Sequence, residues 1–356
     1  MNKLKRILAG LSVGIMCLTV TPVSASATEY VQGDINGDGS VTTQDLYCLS
    51  KFLSGNSRTS KGTVAERLDV NLDSIIDSQD VQYLKNHFLN SSNSDSIPST
   101  YTTALPAYEA RTYYKYDASK GTKLGSYTLN SNTIPEISTA SGRSIIGDDD
   151  RVLDPTLKGV VSIGKNVTGF VIDSHTILTC AHCVYNSNGL SNNLKVYICD
   201  GTADYNNATL TIDPVQVHVP AKYVNSKNTT CDYAIITVNE DLSNYICFDL
   251  GIIRNNITTI NPTVYVTGFG GYDEKVDSDL WYKRSTGKGN IISLSTTYRI
   301  SYNVDAVGGD SGSPAYIINN NKKIVIGINT SNAVSYNSGV RITSEILQFV
   351  YNNPNL

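Results

Sequence analysis

Residues Gly309-Asp310-Ser311-Gly312-Ser313-Pro314 decide how this chain is read. A serine lies between glycines, and a proline closes the turn. Small neighbours let the backbone bend sharply and leave the Ser311 hydroxyl exposed. They also let the N–H groups of Gly309 and Ser311 point at one spot, where a tetrahedral oxyanion could sit. An ordinary glycine-rich loop is the bland alternative. Two further stretches weigh against it. Leu178-Thr179-Cys180-Ala181-His182-Cys183 lies upstream, and Cys231-Asp232-Tyr233-Ala234-Ile235-Ile236 lies between.

The order His182, Asp232, Ser311, at separations of 50 and 79 residues, resembles that of the trypsin-like serine proteases rather than subtilisins or α/β-hydrolases. A serine hydroxyl is a poor nucleophile at neutral pH and needs an adjacent base. His182 would take the Ser311 proton, and Asp232 would hold the imidazole tautomer and stabilise its cation. Gly309 and Ser311 would form the oxyanion hole. The chain has four histidines. His87, His175 and His218 lack flanking features of this kind.

From about Lys158 the chain alternates β-rich runs with turn signals: 159–163, 169–172, 194–198, 233–238, 263–267 and 324–328. Many short strands over some 200 residues suit two packed six-stranded barrels. Residues 344–351 read as a final amphipathic helix. The stretch 145–351 resembles bacterial glutamyl endopeptidases. The matching runs are Ile145-Ile146-Gly147-Asp148-Asp149, Thr168-Gly169-Phe170-Val171-Ile172, Val266-Thr267-Gly268-Phe269, Ser285-Thr286-Gly287-Lys288 and Ile326-Gly327-Ile328. That resemblance places Asp305, Ala306 and Asn329 in the substrate pocket. Two positions depart from the family: Asn329 stands where it carries histidine, and Ala306 where it carries threonine. Asp305 sits where trypsin keeps the carboxylate that selects Arg and Lys. Glutamate, a basic residue or a polar neutral residue before the scissile bond all stay open.

The N-terminal part carries a duplicated acidic loop. Residues 34–45 and 69–80 both place oxygen ligands at positions 1, 3, 5 and 12, as calcium requires. Asp34, Asn36, Asp38 and Asp45 supply the first set, with the Ser40 carbonyl. Asp69, Asn71, Asp73 and Asp80 supply the second, with the Ile75 carbonyl. Each loop runs into a helical pattern, Leu46-Leu49-Phe52-Leu53 and Val81-Leu84-Phe88-Leu89. Residues 31–90 therefore resemble a dockerin, the duplicated module that attaches enzymes to cohesin domains of a cellulosome scaffold. The resemblance implies two calcium ions and a cohesin partner. It assigns cohesin contact to Thr43, Gln44, Ser50 and Lys51, and to Ser78, Gln79, Lys85 and Asn86; exposed helix residues without a partner are the alternative. Position 6 is Gly39 in the first loop but Ser74 in the second, where a positive φ should cost around 1 kcal/mol.

The rest of the sequence sets organisation and address. The chain has 356 residues, 40% hydrophobic and 17% charged, so it can bury a core. Lys3, Lys5 and Arg6, the apolar run 7–20 and Ala25-Ser26-Ala27 read as a secretory signal, and the run is too short to favour a membrane anchor. Loss of the three basic residues leaves 25 basic against 32 acidic, a net charge of −7, which argues against nucleic acid. Residues 90–105 are rich in Asn, Ser and Thr and read as a tether. Residues 107–143 show no sustained period and read as a pro-segment.

Gly142-Arg143-Ser144-Ile145-Ile146-Gly147-Asp148 resembles an activation junction, with cleavage near Arg143. Pairing of the freed ammonium with Asp310, as in trypsin, is not expected, because glutamyl endopeptidases do without it. Without Cys17 six cysteines remain, Cys48 and five in the protease unit. The bridge that trypsin relatives make to the cysteine after the histidine is absent, since residues 167–170 hold no cysteine. Other pairings stay open. A zinc site at Cys180 and Cys183 lacks a second Cys/His pair.

The sequence thus predicts a mainly β chain: a trypsin-like double barrel with a small all-α calcium-binding dockerin. Its parts are a signal peptide (1–27), dockerin (28–90), linker and pro-segment (91–143) and protease (144–356). The expected function is a secreted, cellulosome-attached serine endopeptidase acting on protein or peptide substrates. It needs no cofactor for catalysis and has no membrane span once mature. A catalytically silent scaffold-attached binding protein is the alternative; an esterase with the same triad is a third, but the fold's relatives rarely act so, and the β-rich pattern contradicts an α/β-hydrolase.

Overall fold

The computed structural model describes residues 28–36, 40–54, 65–89, 99–102, 108–132, 145–146, 148–165, 167–192, 194–254, 257–296, 298–333 and 336–351. The signal peptide, Asp38, Gly39, most of the tether and Arg143 lie outside them.

The duplicated loops fold by one repeated device. Asp45 accepts hydrogen bonds from the Ile35 and Asn36 N–H groups at 2.8 and 3.0 Å and from the Thr42 N–H at 2.8 Å. One carboxylate therefore curls the loop and caps the helix Thr43–Leu53. Asp80 repeats this on Val70, Asn71 and Asp77 at 2.7, 3.2 and 2.8 Å, at the start of Ser78–Leu89. Leu49, Phe52 and Leu84 face inward and meet Ile35, Leu68, Val70 and Ile76 in a small shared core. The all-α expectation misses two strands in this unit, Thr28–Val31, which pairs with Ser99–Thr102, and the two-residue strand Ile75–Ile76.

That strand is the unit's attachment to the rest of the chain. It pairs antiparallel with Ile252–Ile253, and Ile75 joins the second barrel's core. Hydrogen bonds flank it: Arg254 N–H to Ser74 O at 2.9 Å and Asn319 Nδ2 to Asp73 Oδ2 at 2.9 Å.

The larger part is mainly β. One antiparallel sheet has nine strands, in the order Leu210–Ile212, Val196–Ile198, Val160–Ile163, Val167–Asp173, Thr176–Thr179, Ala234–Thr237, Gln216–Pro220, Tyr108–Asp117 and Lys123–Asn132. The second sheet closes. Lys322–Ala333, Pro314–Asn319, Thr263–Gly270, Lys283–Thr296, Arg299–Tyr302 and Tyr336–Arg341 form a ring of six strands, because the last pairs back with the first. Its core is aliphatic, with Val264, Ile300, Ile317 and Ile326 buried inside. The helix Ser344–Tyr351 returns to the first sheet and buries Ile346, Leu347, Phe349 and Val350 there. Each strand and the final helix expected from the sequence is present, with ends shifted by a few residues.

Residues 108–132 differ from the expectation of a periodless segment. They form a hairpin whose first strand pairs with Gln216–Pro220. Arg111, Tyr113 and Tyr116 face inward while Thr112 is exposed. The alternation is real, but its inward positions are arginine and tyrosine, so hydropathy hides it. No described helix is long and apolar enough to cross a membrane.

Candidate active site

The Ser311 loop is shaped by two glycines with positive φ, Gly309 at 109° and Gly312 at 85°. A side chain at Gly309 would collide with the Phe269 carbonyl oxygen, and one at Gly312 with the Thr168 carbonyl. Thr168, on the first sheet, ties the loop to that sheet and to the second barrel. Its N–H donates to Ser311 O at 2.9 Å, and its hydroxyl donates to Gly309 O and accepts from Phe269 N–H, both at 2.9 Å. Ser311 is buried rather than exposed, because the His182 ring covers its hydroxyl.

His182 sits in the single helical turn Ala181–Val184, directly after the strand Thr176–Thr179. Asp232 precedes the neighbouring strand Ala234–Thr237, which pairs with Thr176–Thr179. Strand pairing thus brings residues 50 apart in sequence side by side. His182 Nδ1 lies 2.7 Å from Asp232 Oδ2, and the His182 N–H donates to Asp232 Oδ1 at 2.9 Å. On the other side, His182 Nε2 lies 2.7 Å from Ser311 Oγ. Burial would push the Asp232 carboxyl up. The His182 charge, the hydrogen bonds from His182 and the nearby Arg299 charge outweigh it and hold the group below the usual carboxylate range.

Asp310 is engaged by a residue that sequence reasoning missed. Arg151 Nη1 lies 3.1 Å from Asp310 Oδ2, which also accepts the Val307 N–H at 2.8 Å. Arg151 in turn pairs with Asp149 at 2.9 Å. All of this is buried. Burial works against the guanidinium charge, but Asp310, Asp149 and Asp305 outweigh it and raise the Arg151 pKa. Arg151 thus supplies Asp310 with a cation from within the chain. The signal was a lone arginine after Asp148-Asp149-Asp150.

The three residues assigned to the substrate pocket are all buried, and two of them make long-range hydrogen bonds. Asp305 accepts the Ile146 and Asp150 N–H groups at 2.6 and 3.2 Å and is 4% exposed. Asn329 donates to Asp310 O at 2.8 Å and accepts from Tyr302 OH at 2.7 Å. Ala306 is buried. Asp305 fixes the segment around Ile146, and Asn329 braces the nucleophile loop. A motif count cannot see either use, because both depend on long-range partners.

Cys180 and Cys183 place their sulfurs 3.0 Å apart, and Cys180 Sγ lies 3.6 Å from His182 Nε2. The six described cysteines are free thiols. Cys180, His182 and Cys183 form the one group of three potential metal ligands of this kind among the described residues, and its histidine is the one facing Ser311.

In the second acidic loop, Asp69 Oδ1 is buried without a hydrogen-bond partner, as an oxygen aimed at a cation would be. Burial raises the Asp80 carboxyl well above its usual range, and the charges of Asp69 and Asp73 add to the rise. That donor set fits a hard divalent cation. Ser74 adopts φ 71°, the conformation that favours glycine. The second barrel takes part here: Arg254 Nη1 pairs with Asp69 Oδ2 at 2.8 Å, Lys322 Nζ donates to Ser78 Oγ at 2.9 Å, and Asn320 Nδ2 donates to Gln79 Oε1 at 2.5 Å. Asn86, Thr43 and Gln44 are exposed, and Ser50 and Lys51 are half-buried. In the first loop Asp34 and Asp45 are buried, with Asn36 partly so.

The fold and this constellation define a serine protease of the trypsin class. The trypsin family model matches residues 155–348, more than half of the chain, and the chain belongs to that family. A dockerin type I model matches residues 32–89. A glutamyl endopeptidase of Bacillus licheniformis is 26% identical over 286 residues, covering 72% of this chain and 88% of that protein. A glutamyl endopeptidase of Staphylococcus epidermidis is 31% identical over 192 residues, covering 52% of this chain and 61% of that one. A solved Glu endopeptidase structure, in complex with MPD, matches with a TM-score of 0.50 at 23% identity. It covers 59% of this chain and 98% of that one, and supports the fold alone. The chain is thus a serine endopeptidase resembling glutamyl endopeptidases, joined to a dockerin.

Proposed function

We propose that this protein hydrolyses peptide bonds through His182, Asp232 and Ser311 while tethered to a cellulosome scaffold. The observation that carries the reading is the 2.7 Å separation of His182 Nε2 from Ser311 Oγ, with Asp232 on the opposite ring nitrogen. Asp232 accepts a hydrogen bond from Nδ1–H, which keeps the proton on Nδ1 and leaves Nε2 as the acceptor for the Ser311 proton. Ser311 Oγ then attacks the substrate carbonyl. The N–H groups of Gly309 and Ser311 receive the developing oxyanion. His182 returns its proton to the leaving amine, and a water, deprotonated by His182, releases the acyl group. No bound metal is needed in these steps. Arg151 and Asn329 hold Asp310 on either side of its backbone and side chain, and so hold the loop that carries the amides.

The dockerin would bind two calcium ions, one by Asp34, Asn36, Asp38, Asp45 and the Ser40 carbonyl, the other by Asp69, Asn71, Asp73, Asp80 and the Ile75 carbonyl. When bound, the ions fix each loop against its helix. Thr43, Gln44, Lys51 and Asn86 remain open to a cohesin, whereas Ser78 and Gln79 are engaged by the second barrel. The protein would act outside the cell, with the protease beginning near residue 144.

The test uses the purified processed chain and a Ser311→Ala control on a peptide library varied before the scissile bond. Cleavage by the parent alone supports the triad and names the preferred residue. Equal turnover by both, or none by the parent, rejects it. Cohesin capture that ignores EDTA would count against calcium-dependent attachment.

A further inference from the structure

Processing near Arg143 would cut the chain between two parts that the fold knits together. We propose that the segment upstream of the cut is a permanent non-covalent subunit of the mature enzyme, not a discarded pro-segment. The dockerin would then stay on its protease after processing. The consequence for processing rests on the reading of a junction between Asn132 and Ile145; the contacts themselves do not.

The hairpin 108–132 is built into the protease sheet. Its strand Tyr108–Asp117 pairs with Gln216–Pro220 over five register positions, Gln216 to Pro220 against Asp117 to Tyr113. Gln216–Pro220 pairs on its other side with Ala234–Thr237, the strand that follows Asp232. The hairpin is therefore two strands from the acid of the proposed triad.

Its side chains complete the core. Tyr113 is fully buried. Its ring stacks on Phe349 of the final helix, with centroids 4.3 Å apart and planes at 14°, and its hydroxyl lies 3.1 Å from Tyr233 OH. Arg111 forms an ion pair with Glu345 of that helix at 3.0 Å, with side chains 5% and 2% exposed. The same guanidinium lies 3.3 Å from Tyr233 OH and 3.4 Å from Cys231 Sγ, the residues on either side of Asp232. Tyr127 OH meets His218 Nδ1 at 2.9 Å.

A segment evolved to leave presents a surface that both sides can solvate once parted. This one would take the Arg111 guanidinium from Glu345, the stacking ring from Phe349 and the Tyr113 hydroxyl from Tyr233. Removing one member of a buried pair is strongly destabilising. The fragment also grips the second barrel through Ile75–Ile76 and the Arg254–Asp69 pair. Two separate contacts, one on the first sheet and one on the second barrel, act together, so release at one leaves the other at high effective concentration. Because Arg111 backs the Asp232 turn, the fragment is also a positioning element for the proposed triad.

The experiment replaces residues 134–140 in the full-length Ser311→Ala chain with the recognition sequence of a site-specific protease, cuts to completion and runs size exclusion under native conditions. Both fragments should co-elute at the volume of the uncut chain and part only in urea. An N-terminal fragment that elutes alone overturns the proposal. Tyr113→Ala should fold as an uncut chain and release its fragment after the cut. If that variant fails to fold, the result on the cut parent stands by itself. N-terminal sequencing of naturally processed enzyme judges the junction separately. Absence of a cut between residues 132 and 145 sinks the processing reading and leaves the subunit result in force.

Discussion

Replacing Arg151 with methionine tests how the oxyanion loop is held. Arg151 touches no atom of the proposed triad, yet its guanidinium lies 3.1 Å from Asp310 Oδ2, in a site where Arg151 is 6% and Asp310 2% exposed. Methionine keeps the volume and removes the charge. Breaking a buried pair from one side costs about 3–5 kcal/mol, mostly because the other charge stays buried. At roughly 1.4 kcal/mol per tenfold, the lower figure corresponds to about a 100-fold loss. The loss should fall on kcat/KM as the loop leaves its productive form, while the barrels persist. The assay is hydrolysis of quenched fluorescent casein, with circular dichroism as the fold control. Arg151→Met combined with Asp310→Asn should recover part of the loss, because the Asp310 charge is then no longer stranded, although Asp149 still loses its guanidinium. A single variant within twofold of the parent would refute the reasoning.

Other outcomes follow from the same contacts. Gly309→Ala should abolish hydrolysis with the fold retained, since it demands φ 109° of an alanine and collides with the Phe269 carbonyl; measurable turnover would contradict the loop geometry. His218 is fully buried between Tyr127 and Lys115, and burial, then the Lys115 charge, lowers its pKa from 6.5 to about 4. Its neutral form is the native one, so its contribution is present above pH 6.5 and is lost as pH falls towards 4, about 3 kcal/mol in all. Urea midpoints at pH 7 and pH 4.5 should diverge more in the parent than in His218→Gln, and equal divergence would refute this. Ser74→Gly should tighten calcium binding at the second loop about fivefold, by relieving a strain of about 1 kcal/mol at φ 71°. Calorimetric titration with no change would show that the turn carries no strain.

The sequence made much of the protease legible because its signals are local. Turn glycines at 309 and 312, the strand patterns, and a histidine and an aspartate each set at a strand boundary are all fixed by near neighbours. The acidic loops were legible because duplication made them so, and Asp45 and Asp80 repeat the same capping bonds. What stayed hidden depends on distant partners. Nothing local to Asp305 names Ile146 and Asp150, whose N–H groups it accepts across more than 150 residues. Arg151 was invisible because nothing in its own neighbourhood names Asp310. The 108–132 hairpin escaped because its inward residues are tyrosines and an arginine whose cation meets Glu345 at the far end of the chain. The docking of Ile75 into a barrel core has no sequence signature at all.

The central claim is that His182 makes one hydroxyl in this molecule nucleophilic. The direct measurement is labelling by a fluorophosphonate, read by intact mass and peptide mapping. A single adduct on Ser311 in the processed parent, absent from His182→Ala, is the result expected. An unlabelled Ser311, or equal labelling without the imidazole, would contradict the account.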